Sequence, residues 1–197
     1  KKGSAQVKSS CLFAALNTPG VTTVKSLPSR NHTELMLKNC LKLPITSKRI
    51  GKFDITKIQG GNQFHHFNYK VPGDISSAAF FIALTILSTN SYLIIKNVNI
   101  NKSRTGIIEI LKKMNAKITI KNKKFYHGEE NADMVIKSSP NLRSINCPRS
   151  LNTKTIDEFL IIFLICAKSK GVSKFVGLEE LRHKESDRLN IGSNFLK

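Results

Sequence analysis

Eight consecutive residues near the end of the sequence, Leu181-Arg182-His183-Lys184-Glu185-Ser186-Asp187-Arg188, hold Arg182, Lys184 and Arg188 beside Glu185 and Asp187. Read as a helix, the segment puts Lys184 and Arg188 at i, i+4 on one face, where two cations repel unless an anion or an acid lies between them. That arrangement suits capture of an anionic ligand; the same spacing also fits a salt-laced helix facing water. Farther upstream, Ile156-Asp157-Glu158 sets a pair of carboxylates just ahead of an apolar run. Ser4-Ala5-Gln6 opens another helix, whose free N–H groups, hydroxyl and amide suit an anion, although an ordinary helix cap is the simpler account of them. Asp74-Ile75-Ser76-Ser77 reads as a cap alone.

The background makes these carboxylates informative. The 197 residues carry 32 Lys+Arg against 13 Asp+Glu, a net charge of +19. That excess points to nucleic acid, an anionic membrane or anionic small molecules as partners. Yet residues 157–188 contain six acids and six bases, so the whole excess lies elsewhere. Most of the cations are lysines scattered singly. The seven arginines are the more telling ones, because a guanidinium captures carboxylate or phosphate in a planar, bidentate way. Apolar residues make up 40 %, enough for a core, and a collagen-like, disulfide-stapled or disordered chain is excluded. Cys11, Cys40, Cys147 and Cys166 show no zinc spacing and read as reduced, mostly buried thiols of a cytoplasmic protein. No metal is assigned: among the five histidines only His65-His66 are close, and a strand points them to opposite faces. The longest apolar run, Phe159 to Cys166, falls far short of the ~20 residues that span a bilayer. The sequence begins without methionine and stops just after a helical pattern, so it reads as a fragment.

The elements that must position these groups recur. A helix from Ser4, with Val7, Cys11 and Ala15 as its apolar stripe, ends at Asn17-Thr18-Pro19-Gly20. A strand, Val21 to Val24, follows. Asn31 and Glu34, at capping-box spacing, then open a second helix with Arg30 at its mouth. The order repeats with a helix over Ala78–Leu87, a strand over Tyr92–Val98, and a helix over Ile107–Met114 preceded by Arg104. It repeats again with the helix running to Cys166, a strand over Ser173–Val176, and a helix opened by Leu181–Arg188. Arg30, Arg104 and Arg182 stand 26, 28 and 25 residues after the helix openings at Ser4, Ser76 and Asp157. Alternating pieces such as Lys117–Ile120 and Met134–Ile136 read as antiparallel strands. The unit is α-β-α-β-β, and the chain is a repeated α/β assembly.

The string Gly177-Leu178-Glu179-Glu180-Leu181-Arg182-His183-Lys184-Glu185-Ser186-Asp187-Arg188-Leu189 resembles the C-terminal signature of the 3-phosphoshikimate 1-carboxyvinyltransferase family. Companions fall in that family's order: Gly3-Ser4-Ala5-Gln6-Val7-Lys8-Ser9, Leu16-Asn17-Thr18-Pro19-Gly20, Ser29-Arg30-Asn31-His32-Thr33-Glu34, Val71-Pro72-Gly73-Asp74, Ser103-Arg104-Thr105-Gly106 and Ile156-Asp157-Glu158. The resemblance implies an enolpyruvyl-transferase fold of six βαβαββ units in two lobes, of which this central fragment holds three. Residues 1–70 are then the end of the first lobe and residues 71–197 part of the second, with the substrate cleft between lobes.

The implied reaction transfers the enolpyruvyl group of phosphoenolpyruvate to the 5-hydroxyl of shikimate 3-phosphate, releasing phosphate, on the route to chorismate and the aromatic amino acids. It needs no metal and no organic cofactor. Matched position by position, Asp157 takes the place of the proton acceptor at the 5-hydroxyl, and Glu185 that of the acid near the methylene carbon. Ser4, Ala5, Gln6, Arg30, Asp157 and Lys184 match contacts to shikimate 3-phosphate; Gln6 and Arg188 match contacts to phosphoenolpyruvate. The partners implied are these two small molecules, with no nucleic acid or membrane and a monomer at full length.

The sequence departs from the family in places. Ala5 stands where many members have a second serine, a pattern similar to the glyphosate-tolerant class, and Glu180 stands where some place an asparagine. Other active-site segments of the family have no counterpart here, so the piece alone is expected to be inactive. Two other readings are open. Enolpyruvyl transfer to UDP-N-acetylglucosamine shares the fold and chemistry, but its usual catalytic cysteine loop is not visible. A basic nucleic-acid-binding protein is suggested by the charge and by Phe64-His65-His66-Phe67-Asn68-Tyr69, which also reads as a strand with Phe64 inward.

Overall fold

The order helix, strand, helix, strand, strand is realised twice in the computed structural model, which describes residues 3–196. The chain divides into two units, Lys1–Val71 with Phe125–Glu129, and Pro72–Lys124 with Glu130–Lys197.

The first unit runs α1 (Ala5–Leu16), β1 (Gly20–Ser26), α2 (His32–Asn39), β2 (Ile45–Ile50) and β3 (Phe53–Gly60). Central β3 is antiparallel to both neighbours, from Gly20↔Gly60 to Ser26↔Asp54 on one side and from Ile45↔Ile58 to Ile50↔Phe53 on the other. Leu12 and Ala15 of α1 and Leu37 of α2 pack with Leu43, Ile45 and Ile58 into a small core.

The first unit departs from three local expectations. The inward stripe of α1 is Lys8, Leu12 and Ala15, whereas Val7 is 63 % exposed and Cys11 is exposed. The two stripes share Ala15 and differ by one residue at the other two positions, and Lys8 turns inward where its buried ammonium meets a carboxylate 2.6 Å away on Glu34. The same pair cancels the capping box: Asn31 is the N-cap of α2 but its side chain makes no cap bond, and Glu34 turns inward to Lys8. The Phe64–Tyr69 stretch is not a strand, and Phe64 is exposed. The chain leaves β3 in the middle of its sheet, where both ladder positions are already filled.

The second unit contains α3 (Ile75–Leu87), β4 (Tyr92–Asn99), α4 (Gly106–Lys113), all but the joined tips of β5 (Lys117–Tyr126) and β6 (Glu129–Lys137), α5 (Phe159–Ala167) and α6 (Arg188–Phe195). Its sheet order, β4-β6-β5, repeats that of the first sheet, with the last strand of each set in the middle. Ile82 and Ile86 of α3, Ile107, Ile110 and Leu111 of α4, and Phe159, Ile162 and Ile165 of α5 share one core with Val98, Met134 and Ile136 of the sheet. α5 is apolar on every face, and Phe159, Phe163 and Phe175 stack with ring centroids 5.3–5.9 Å apart.

The third repeat is incomplete. Ser173–Val176 is not a strand: it lies beside the irregular 143–147 segment and makes a single isolated parallel bridge, Asn146↔Lys174, with another just ahead of it at Arg143↔Lys170. With one irregular neighbour there is no ladder to extend. No helix of the described residues is long and apolar enough to cross a membrane.

Candidate active site

The second unit gathers the charged residues of the signature around one arginine. α6 starts at Arg188 because Asp187 is its cap: the backbone there is non-helical and Oδ1 accepts the Asn190 N–H at 3.0 Å. Lys184 therefore does not share a helical face with Arg188. It follows a short 3-10 turn, Glu179–His183, in extended conformation, and pairs with Glu180 at 3.1 Å. Arg182 lies inside that turn rather than at the mouth of a helix, and pairs with Asp187 at 3.0 Å.

Arg188 bridges two carboxylates. Its Nη1 lies 3.5 Å from Oδ1 of Asp157, and its Nη2 donates to Oε2 of Glu185 at 2.8 Å. Asp157, just ahead of α5, has a side chain 31 % exposed, while that of Glu185 is 82 % exposed. The Glu185 carboxyl is held below the usual glutamate range, first by its own backbone N–H and then by Arg188. In this state Glu185 stays ionised near neutral pH. Asp157 and Arg188 also help line a cavity of about 550 Å³, whose other walls, Ser76 and Glu158 apart, are apolar residues such as Phe80, Leu164, Ile191 and Phe195.

The first unit presents a separate group. Ser4 caps α1, its hydroxyl accepting the Val7 N–H at 3.3 Å, so Ala5 and Gln6 form the first turn. Gly3 permits a close approach: a Cβ there would lie 2.7 Å from the Pro28 carbonyl oxygen, so the start of α1 abuts the loop that carries Ser29 and Arg30. Two cross-links fix the geometry, the buried Lys8–Glu34 pair and a 2.7 Å hydrogen bond between the hydroxyls of Ser9 and Thr33. Both join the opening turns of α1 and α2, so Ser4 and Gln6 are held relative to half-buried Arg30.

Sequence reasoning missed Ser29. Its hydroxyl is buried without a hydrogen-bond partner among the described residues, in the loop against which α1 begins. A buried, unsatisfied hydroxyl carries a cost that a polar ligand removes, and it is a property of the fold rather than of the local sequence. Also missed was the support beneath Asp157: Ser76 and Arg104 converge on the buried Glu158.

A family model for EPSP synthase (3-phosphoshikimate 1-carboxyvinyltransferase) matches residues 1–197. The chain belongs to the EPSP synthase family. It is 43 % identical over 196 residues to the 3-phosphoshikimate 1-carboxyvinyltransferase of Hydrogenovibrio crunogenus, covering 98 % of this chain and 43 % of that protein. The enzyme of the same name from Carboxydothermus hydrogenoformans is 42 % identical over 200 residues, 100 % of this chain and 45 % of the relative. The EPSP synthase structure from Acinetobacter baumannii superposes with a TM-score of 0.86 at 39 % identity, covering 98 % of this chain and 42 % of that one. The chain thus spans under half the length of the family members it matches. The repeated α/β architecture expected from the sequence is that of the EPSP synthase family, and the signature residues around Arg188 lie in the matched region.

Proposed function

We propose that this chain is part of an enzyme that joins phosphoenolpyruvate to the 5-hydroxyl of shikimate 3-phosphate and releases phosphate, in the biosynthesis of chorismate and the aromatic amino acids. The observation that carries the reading is Arg188 shared between Asp157 and Glu185, in a chain of this family. Arg188 is the cation that phosphoenolpyruvate engages. Its capture by an incoming carboxylate or phosphate removes the pairing that depresses Glu185 and frees both carboxyls for proton transfer.

The 5-hydroxyl oxygen attacks the central carbon of phosphoenolpyruvate while its proton passes to Asp157. A proton from Glu185 reaches the methylene carbon, giving a tetrahedral adduct. The carbon–oxygen bond to phosphate then breaks, a methyl proton returns to the Glu185 carboxylate, the proton held by Asp157 leaves with the departing phosphate, and the new enol ether is released. Ser4, Ala5, Gln6, Arg30 and Lys184 hold shikimate 3-phosphate, and Ser29 joins them as a hydroxyl donor. Gln6 also reaches phosphoenolpyruvate. Two polyanions in one site repel, and fixed cations offset that repulsion better than water does.

No metal or organic cofactor takes part in these steps. The partners are the two small molecules, with neither nucleic acid nor membrane involved, and the full-length protein acts as a monomer. The four free cysteines support a reducing, cytoplasmic setting. The test is phosphate release by the full-length protein. Release that requires both phosphoenolpyruvate and shikimate 3-phosphate supports the reading. Release with UDP-N-acetylglucosamine in place of shikimate 3-phosphate transfers the protein to the sister reaction.

A further inference from the structure

The starts of α3, α4 and α5 meet at a buried polar cluster just behind Asp157. Glu158 stands at the N-cap of α5 with its side chain 2 % exposed. Its Oε1 accepts a hydrogen bond from the Ser76 hydroxyl in the first turn of α3. Arg104, two residues ahead of α4, donates from Nη2 to that same hydroxyl. The guanidinium also lies 3.1 Å from Oδ1 of Asp74, the cap of α3, and 3.9 Å from Oε1 of Glu158.

The loop is held from a second side. The Glu158 N–H donates to the Thr155 carbonyl at 3.0 Å. Gly106 comes so close that a Cβ would lie 1.8 Å from the Thr155 hydroxyl. Residues 155–158 therefore have little freedom, and Asp157 is the member of that loop whose carboxylate faces Arg188.

A buried carboxylate sharing its cation with a second acid is a poor choice for stability alone, because desolvation offsets much of the attraction and an apolar core would serve as well. What such a cluster does supply is a fixed geometry, and a reacting group out of place by an ångström is costly to a rate. We propose that Glu158, fixed by Ser76 and Arg104, is a positioning residue that sets the carboxylate of Asp157 for proton abstraction. This rests on the reading of Asp157 as the base in the proposed transfer.

The test is a cycle in the full-length protein, scored by phosphate release. Glu158→Gln keeps the side-chain size and an acceptor oxygen but removes the charge that draws Arg104 and the Ser76 hydroxyl inward. The expected result is a kcat lower by about tenfold or more, with KM for both substrates within about threefold of wild type. Introduced into Asp157→Asn, the same change lowers kcat by less than about threefold further, since a residue acting through Asp157 has nothing left to position. Ser76→Ala, at a half-buried position that tolerates loss of a hydroxyl, gives the same two results and serves if Glu158→Gln does not fold. Full kcat in Glu158→Gln or Ser76→Ala overturns the inference, as does a loss that multiplies with that of Asp157→Asn. A silent wild-type protein overturns the transferase reading instead, and this inference with it.

Discussion

Replacing Lys8 by methionine tests whether the first unit is held together as the structure implies. The ammonium and the Glu34 carboxylate are 2.6 Å apart, with side chains only 1 % and 8 % exposed. Neither the Lys8 Nζ nor the Glu34 Oε2 has another hydrogen-bond partner among the described residues. Methionine keeps most of the lysine stem and its packing, so the loss isolates the charge. Removing one partner of a buried pair leaves the other uncompensated, at a cost of about 3–5 kcal/mol. Glu34 sits near the end of a small core and is not wholly enclosed, so the lower figure, about 3 kcal/mol, applies. For a unit of this size that is a fall of roughly 12–24 °C in its Tm. The assay is urea and thermal unfolding of the full-length protein, followed by circular dichroism. The double variant Lys8→Met/Glu34→Leu, which removes both charges, returns to within about 1 kcal/mol of wild type, because an apolar pair replaces an ionic one at little net cost. If Lys8→Met unfolds within about 1 kcal/mol of wild type, or the double variant is no better than the single, then the pair is not what locks α1 to α2.

Three further outcomes are expected. Gly106→Ala drives a Cβ into the Thr155 hydroxyl, 1.8 Å away, and destabilises the second unit by about 1–3 kcal/mol in chemical denaturation, because the α4 terminus must move. Asp187 has its pKa lowered from 3.8 by the Asn190 N–H and then by Arg182. Its folded value lies below its unfolded one, so its contribution to α6 is complete above about 3.8 and is lost as pH falls through the lower folded value; acid-titration NMR of the α6 amides reads this directly. The Glu185 carboxyl, followed by carbon-detected NMR, titrates below 4.5 in the free protein. It moves upward when phosphoenolpyruvate is added, and a carboxyl that does not move leaves Arg188 uninvolved in phosphoenolpyruvate binding.

Periodicity made the two complete repeats legible before any coordinates. Helix openings at Ser4 and Asp74, turn residues at Asn17–Gly20, and alternating strands each reflect local preferences that packing reinforces. What escaped was set by partners distant in sequence. The inward stripe of α1 depends on Glu34, which a reading that treats lysine as polar passes over. The capping box at Asn31 fails for the same reason, since Glu34 is already engaged. The Ser173–Val176 segment has strand composition but no regular neighbour. The helix expected through Lys184 breaks at Asp187, a residue that caps α6 instead of continuing into it. The family resemblance placed Asp157, Glu185 and Arg188 on the candidate list, and the sharing of Arg188 between the two acids emerged only from the fold. The recurring spacing set Ser76 and Arg104 at helix openings, but nothing in it showed that they meet at Glu158, and the buried Ser29 hydroxyl left no mark in the sequence. A buried hydroxyl without a partner and a carboxylate beneath a loop are properties of packing.

The central claim is that Asp157, beside Arg188, removes the proton from the attacking hydroxyl. Its most direct test compares phosphate release by wild-type and Asp157→Ala full-length protein at saturating phosphoenolpyruvate and shikimate 3-phosphate. The account predicts a kcat lower by about 100-fold or more in the variant, the scale of a lost general base, with both proteins equally folded. Equal rates in the two proteins would contradict it.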